Sequence, residues 1–306
     1  MIKLKTLSLW TALMMMASPI FACDICGCGN NGNYIGILPE FQKHIFGFRY
    51  RQNGIRSHIG YNGTTTYLTT KETYASYELW GSVKVAKKMN LLFSLPYNSN
   101  TEVRSDKTQA INGIGDVNLL GFYTLVQSNQ LTKSNQVLIQ SCRIAAGIKL
   151  PTGKFNLNNE SQQTQLFTLG TGTIDFMLGA VYEARLQNTG LNISSNVKIN
   201  TENREHYLYG YKAQSNFQLY HKIFFGEKLS LAPNIGLQYE YTQKDKFQNQ
   251  FVDISGGYIL NNSFGTEFQY NKYFLGMNVQ LPIRQNIGHG QIQSNSRWML
   301  HLSHAF

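Results

Sequence analysis

Charged side chains are scarce in this chain. Asp, Glu, Lys and Arg make up 14% of its 306 residues, whereas globular domains contain about 25%. Beyond the N-terminal segment, no run approaches the ~18 consecutive apolar residues that a membrane-spanning helix requires. Aromatic residues are abundant instead, with 18 Tyr and 18 Phe. This combination is typical of a membrane protein that crosses the bilayer with β-strands, whose apolar residues occupy alternate positions.

Catalytic motifs are also missing. The sequence contains no GxSxG, HExxH or Walker-type loop. Its seven His residues are scattered, and His289 lies in a Gly-rich stretch that is typical of a flexible loop. Although enzymes built on outer-membrane barrels exist, we expect this protein not to be an enzyme.

The formal net charge of +10 does not indicate a nucleic-acid partner. Part of this charge belongs to the N-terminal segment, and the rest is spread over many strands and loops rather than clustered on one surface. An exported chain would also rarely meet nucleic acid. We therefore expect no nucleic-acid binding.

The N-terminus has the layout of a secretory signal peptide. Lys3 and Lys5 form a basic region, an apolar run of about ten residues follows, and Ala22 precedes Cys23. A retained N-terminal anchor helix is the alternative. We divide the chain into a signal peptide (1–22), a Cys-containing periplasmic segment (23–42) and an outer-membrane β-barrel (43–306). Segment 23–42 would act either as a plug of the barrel or as a tail.

Apolar and polar residues alternate from residue 43 to the C-terminus, which is the period of a β-strand with one apolar face. This pattern predicts twelve strands, with boundaries uncertain by about two to four residues. They are 43–52, 73–85, 89–97, 114–127, 137–150, 172–186, 190–200, 211–222, 228–241, 251–260, 264–282 and 296–306.

Long and short connections alternate along the chain. Long ones include 53–72, 151–171 and 283–295, while short ones include 187–189 and 261–263. This rhythm favours an antiparallel up-and-down transmembrane β-barrel with short periplasmic turns and long outer loops. The chain ends on Phe306, as outer-membrane proteins commonly do. We therefore expect insertion into outer-membrane lipid by the barrel assembly machinery, with both termini in the periplasm.

Charged residues on the polar faces of the strands must point inward, because a charge in lipid near the midplane costs about 2–4 kcal/mol for Arg or Lys. The predicted lumen residues are Arg49, Arg51, Glu78, Asp116, Arg143, Lys149, Asp175, Glu183, Arg185 and Glu240, together with Lys84, Asn118, Lys198, Lys212 and Lys222. They would form either an ion-pair network that fills the lumen or a polar conduit or binding site. The excess of basic residues mildly favours anionic or polar solutes.

Three cysteines near the predicted mature N-terminus form a CxxCxC motif: Cys23, Cys26 and Cys28. Thiolates at this spacing could bind a soft metal such as Cu or Zn, with His44 or a second chain completing the site. A disulfide is the alternative in an oxidising compartment. Lipidation of Cys23 is the third, since residues 20–23 loosely resemble a lipobox. Cys142 lies on an apolar strand face, where we expect it to pack.

Three short segments resemble a known family: Gly113–Val117 (GIGDV), Gly147–Gly153 (GIKLPTG) and Leu169–Asp175 (LGTGTID). They resemble the signatures of the outer-membrane transporter family associated with the meta-pathway of phenol degradation. The resemblance covers roughly residues 75–306. It implies a barrel that moves small, often hydrophobic or aromatic, compounds.

Three functions therefore compete. The leading hypothesis is a passive outer-membrane channel for small-molecule solutes. The second is an envelope protein that binds a soft metal through its N-terminal cysteines. The third is a structural or adhesion barrel that acts through its outer loops, notably 53–72 and 151–171.

Overall fold

The computed structural model of the protein describes residues 44–104, 107–155 and 167–306, and these form a closed antiparallel β-barrel of twelve strands. The predicted fold class is thereby confirmed. In the described ranges, no helix is long and apolar enough to cross a membrane. The predicted signal peptide and the segment 23–42 lie outside the described residues and stay predictions.

The strands follow one another around the barrel in chain order. They are β1 (Ile45–Ser57), β2 (Thr70–Ala86), β3 (Met89–Val103), β4 (Thr108–Ile114), β5 (Val117–Leu131), β6 (Val137–Leu150), β7 (Asp175–Leu186), β8 (Thr189–Ile199), β9 (Tyr207–Leu208), β10 (Lys212–His221), β11 (Ile223–Phe225), β12 (Leu229–Thr242), β13 (Lys246–Phe247), β14 (Gln250–Phe251), β15 (Gly257–Tyr270), β16 (Tyr273–Ile287) and β17 (Gln293–Ala305). Two single-turn 3₁₀ helices, Tyr61–Gly63 and Gly288–Gly290, complete the described elements.

Five of these strands are short and lie outside the twelve-strand count. Strand β4 pairs with the outer half of β3. After a break at Gly115 and Asp116, β5 pairs with the periplasmic half of β3. Strand β11 similarly continues β10 alongside β12. Strands β9, β13 and β14 form a separate small sheet from two outer loops. The barrel closes where β1 pairs with β17, from Ile45 opposite Ala305 to Arg56 opposite Gln293.

The predicted rhythm of connections is present in the described strands, but one predicted turn is wrong. Residues 261–263 lie within β15, and the turn follows Tyr270, where Asn271 adopts a positive φ of 52°. Asn261 and Ser263 looked like turn residues because they are polar. They are polar because they point into the lumen, where Asn261 Nδ2 donates to Gln238 Oε1 at 2.9 Å. The outer loop predicted at 283–295 also shortens, since β16 extends to Ile287 and β17 begins at Gln293.

Large apolar side chains cover the outside of the barrel. Leu237, Phe217 and Leu300 are examples, each more than two-fifths exposed. Such residues occur on nearly every strand, so the exposed apolar surface far exceeds the few hundred Å² that a water-soluble monomer tolerates. The outer surface is therefore a lipid-facing surface, and the alternate residues of each strand point into the lumen.

Leu237→Arg tests this orientation. Leu237 lies near the middle of β12 with its side chain outside, so we expect the substitution to lower the free energy of unfolding by about 2–4 kcal/mol. Urea titration of the protein folded in phospholipid vesicles measures this change. Glu205→Arg, in an exposed outer loop, is the matched control and should have little effect. Equal losses in the two variants would contradict a lipid-facing Leu237.

Candidate functional site

The structure places the predicted lumen residues on the inward faces of their strands. Arg49, Glu78, Asp116, Arg143, Lys149, Asp175 and Glu240 are buried, whereas Arg51, Glu183 and Arg185 are half-buried. Of the further five, Lys212 is buried, Asn118, Lys198 and Lys222 are half-buried, and Lys84 is exposed near the periplasmic turn after β2. Most of the charged groups pair with one another in several clusters along the lumen.

The first cluster is centred on Lys149, whose side chain is 0% exposed. Its Nζ lies 2.9 Å from Asp116 Oδ2 and 2.7 Å from Asp175 Oδ2. Lys198 reaches the same Asp175 oxygen at 3.6 Å. A buried ammonium is tolerated only when opposite charges and hydrogen bonds surround it. Both carboxylates are therefore required to hold Lys149 in the wall.

Asp116 also holds the outer loop between β6 and β7. Its carboxylate accepts hydrogen bonds from the backbone N–H of Gly153 at 3.0 Å and of Thr171 at 2.9 Å. The Thr152 hydroxyl donates to the Gly115 carbonyl at 2.7 Å. Gly170 lies so close that a Cβ there would meet Gly153 Cα at 2.9 Å and collide with Asp116 Oδ1. The loop ends are thus fastened to the break between β4 and β5.

These contacts bring together the three segments that carried the family resemblance. GIGDV supplies Asp116, GIKLPTG supplies Lys149, and LGTGTID supplies Thr171 and Asp175. The segments are separated along the chain but meet around one buried ammonium. The third segment also contacts β3, because the Leu169 carbonyl accepts a hydrogen bond from Asn98 and the neighbouring Thr168 carbonyl accepts one from Asn100. Together the three segments cover one side of the outer end of the lumen.

The second cluster lies across β10, β12 and β17. The Glu240 carboxylate forms an ion pair with the Lys212 ammonium at 2.6 Å and accepts a hydrogen bond from Arg297 at 2.9 Å. A separate group on β1 and β2 joins Glu78 to Arg51 and, at 3.6 Å, to Arg49. The Arg49 guanidinium lies over the Trp80 ring, 4.7 Å from its centroid, which is the geometry of a cation–π contact.

Three titratable lumen residues were not predicted from the sequence: Arg297, Glu267 and His301. Glu267 Oε1 lies 2.9 Å from His301 Nε2, and the His301 ring meets the edge of Trp80. Arg297 and His301 alternate with Trp298, Leu300 and Leu302 along β17, so the strand period could have found them. Glu267 was not predicted as a lumen residue. The predicted eleventh strand began at 264 and ran through the turn that follows Tyr270.

A cavity of about 90 Å³ opens in the outer half of the lumen beside these clusters. Arg51, Lys198, Lys212 and Asp116 supply its charged groups, and Asn98, Asn100 and Asn200 supply amides. Tyr74, Tyr209, Pro96 and Leu169 add apolar surface. The cavity therefore combines polar and apolar lining, as small-molecule sites commonly do.

The lumen on the periplasmic side of this cavity has two unlike walls. An apolar wall runs from β16 through β1 to β7 as a single packed cluster of buried side chains: Ile45, Trp80, Leu92, Leu120, Phe122, Ala145, Met177, Val181, Phe274 and Ala305. The wall over β10, β12, β15 and β16 instead presents uncharged polar side chains, all buried: Gln214, Asn216, Gln218, Gln238, Asn261, Ser263, Asn278 and Gln280. We name these the apolar wall and the amide wall.

The outer loops add rigid structure above the cavity. Asp245 is buried and accepts hydrogen bonds from the Tyr207 hydroxyl and the Gly210 N–H, both at 2.6 Å. These two hydrogen bonds hold the small sheet of β9, β13 and β14 in place.

At the outer end of β1, burial, assisted by the Arg104 guanidinium, lowers the pKa of His58. That imidazole is therefore neutral at physiological pH.

The predicted metal ligands Cys23, Cys26 and Cys28 lie outside the described residues, so the soft-metal, disulfide and lipid alternatives stay predictions. His44 is exposed and stacks on Phe306, with ring centroids 6.2 Å apart. Within the described ranges, no group of three or more His, Cys, Asp or Glu side chains is placed to hold a metal ion. Cys142 is half-buried and has a free thiol.

Solved structures share this fold. An outer membrane channel from Pseudomonas putida F1 aligns over 90% of this chain and 99% of its own, with a TM-score of 0.61 and 17% identity. The beta domain of the Bordetella autotransporter Brka aligns over 85% and 99%, with a TM-score of 0.50 and 9% identity. Identities this low establish the fold only, which is that of an outer-membrane barrel. No protein-family model and no curated protein matches the chain.

Asp116→Ala should release the outer loop between β6 and β7. The substitution leaves Lys149 with one close carboxylate and removes the acceptor of two backbone N–H groups. We expect faster hydrogen exchange at the amides of Gly153 and Thr171 and a free energy of unfolding lower by about 3–5 kcal/mol. Hydrogen-exchange mass spectrometry measures the first effect. Asp253→Ala is the control, because Asp253 has a side chain that is 95% exposed; unchanged exchange in both variants would contradict the fastening role.

Proposed function

We propose that this protein is a passive outer-membrane channel for small molecules that have both an apolar part and a polar part. The observation that supports it most strongly is the two-walled lumen beneath the outer cavity. A uniformly charged lumen would suit ions, and a uniformly apolar one would exclude water. A lumen with one apolar wall and one amide wall suits a solute that presents a different surface to each.

The residues of the amide wall fit this role because they hydrogen-bond without charge. Gln214 Nε2 and Asn261 Oδ1 are buried and have no hydrogen-bond partner within the part of the chain that the structure describes. Such groups cost free energy unless water or a solute pairs with them. A passing solute could exchange one such partner for the next along the wall, which lowers the cost of leaving water.

The apolar wall supports hydrophobic or aromatic solutes in particular. Trp80 and Phe122 are buried aromatic members of this wall, and aromatic side chains favour contact with other rings. The motif resemblance to the transporter family associated with the meta-pathway of phenol degradation supports the same class of solute. The proposed role is transport without catalysis, since the charged groups of the lumen pair mainly with one another.

Proteoliposome swelling tests the channel directly. Purified full-length protein in vesicles should admit small neutral solutes such as arabinose faster than protein-free vesicles do. The rate should fall steeply for larger sugars, because buried side chains fill much of the lumen in the described residues. Swelling equal to that of protein-free vesicles for every solute would overturn the proposal.

Trp80→Ala should widen the passage at the apolar wall. Trp80 is 0% exposed and is the largest side chain of that cluster, so its removal leaves a cavity and frees the Arg49 guanidinium. We expect a higher single-channel conductance in planar bilayers than for the unsubstituted protein. The control is Trp298→Ala, since Trp298 is 48% exposed on the lipid-facing surface. Heat-modifiable gel mobility verifies that each variant is folded, and equal conductance in folded variants would contradict a barrier at Trp80.

A further inference from the structure

The charges that line the outer cavity are unequal. Arg51, Lys198 and Lys212 face it, and Asp116 is the acidic residue among its lining groups. The Asp116 carboxylate is already occupied by Lys149 Nζ and by two backbone N–H groups. The carboxylates of Glu78 and Glu240 pair with Arg51 and Lys212 but do not line the cavity. The charged groups at the cavity surface are therefore mainly positive.

Lys198 is the least compensated of these cations. Its side chain is 12% exposed, and its one ion pair within the described residues is to Asp175 Oδ2 at 3.6 Å. Lys149 holds that same oxygen at 2.7 Å, so one carboxylate oxygen serves two ammonium groups. Lys198 also lies directly opposite Lys212 in the β8–β10 register. Two neighbouring ammonium groups repel each other, and an anion placed between them removes that repulsion.

The rest of the cavity favours an organic anion over a simple inorganic ion. Tyr74, Tyr209, Pro96 and Leu169 line it beside the cations. These side chains gain nothing from a small hydrated ion but can bury an apolar body.

We infer that the outer cavity is a binding site for small organic monoanions, with Lys198 and Lys212 holding a carboxylate and the tyrosines packing against its apolar body. This inference rests on the proposed channel function and specifies its solute. Lys198 is the specificity-determining residue, because its ion pair is longer than that of Lys212 and its carboxylate oxygen is shared with Lys149. The amide wall then continues the polar path from the cavity toward the periplasm.

Isothermal titration calorimetry of the full-length barrel in detergent micelles tests the site, with benzoate and benzyl alcohol as probes and protein-free micelles subtracted. Both probes carry the same ring, but benzoate alone carries a charge at pH 7. We expect benzoate to bind at least about tenfold more tightly than benzyl alcohol, as a charge-assisted hydrogen bond predicts. The preference should weaken as KCl is added. Equal affinity for the two probes would overturn the inference without any variant being needed.

Lys198→Gln locates the site. It should reduce benzoate affinity by about tenfold while leaving benzyl alcohol unaffected. Lys87→Gln, in the exposed periplasmic turn after β2, is the matched control and should bind benzoate as the unsubstituted protein does. Benzoate affinity that is the same in both variants would overturn the assignment to the cavity. Since calorimetry does not require conduction, failure of the swelling experiment with intact benzoate binding would refute the channel and not the site.

Discussion

Inside a lipid bilayer, each backbone N–H and C=O must find its partner within the protein, because no water is present to replace it. The pairing of β1 with β17 meets this requirement by removing the last two free edges of the sheet. Once the sheet is closed, each strand has one face toward lipid and one toward the lumen. The scarcity of charge, the abundance of aromatic residues and the strict alternation all follow from that division.

The division also decides where polar residues can be placed. The ion pairs of the lumen are centred on Lys149, Glu240 and Glu78, each of which holds partners of opposite sign. Below them the uncharged residues separate into an apolar wall and an amide wall. The outer loop between β6 and β7 is fastened to the rim through Asp116, so the cavity above the two walls has a defined shape. Solute selection in this account takes place in the cavity, and the resistance to passage lies at the apolar wall.

The alternation of apolar and polar residues predicted the barrel well, because each side chain of a barrel strand faces either the lipid or the lumen. Arg49, Glu78, Asp116 and Lys149 could be placed inside by elimination, since lipid excludes them. The error at 261–263 has the opposite origin. Asn and Ser are common in turns and equally common on a polar lumen wall, so composition alone does not separate the two.

The partners that the lumen residues contact could not be predicted from the sequence, because they depend on strand register and tilt. Strand assignment placed Asp116, Lys149 and Asp175 on inward faces but gave no indication that Asp175 Oδ2 serves two lysines. The separation of the lumen into two walls was likewise hidden, since it appears only when residues from distant strands are placed around one axis.

Neighbouring residues of β10 allow the most direct test of a passage between the two walls. Asn216 is buried on the amide wall, and Ser215 next to it is on the exposed lipid-facing surface. The measurement is the rate of proteoliposome swelling in arabinose for Asn216→Trp and Ser215→Trp. The account predicts that a bulky ring at 216 obstructs the passage and slows swelling, whereas the same ring at 215 has no effect. Equal rates in two correctly folded variants would contradict it.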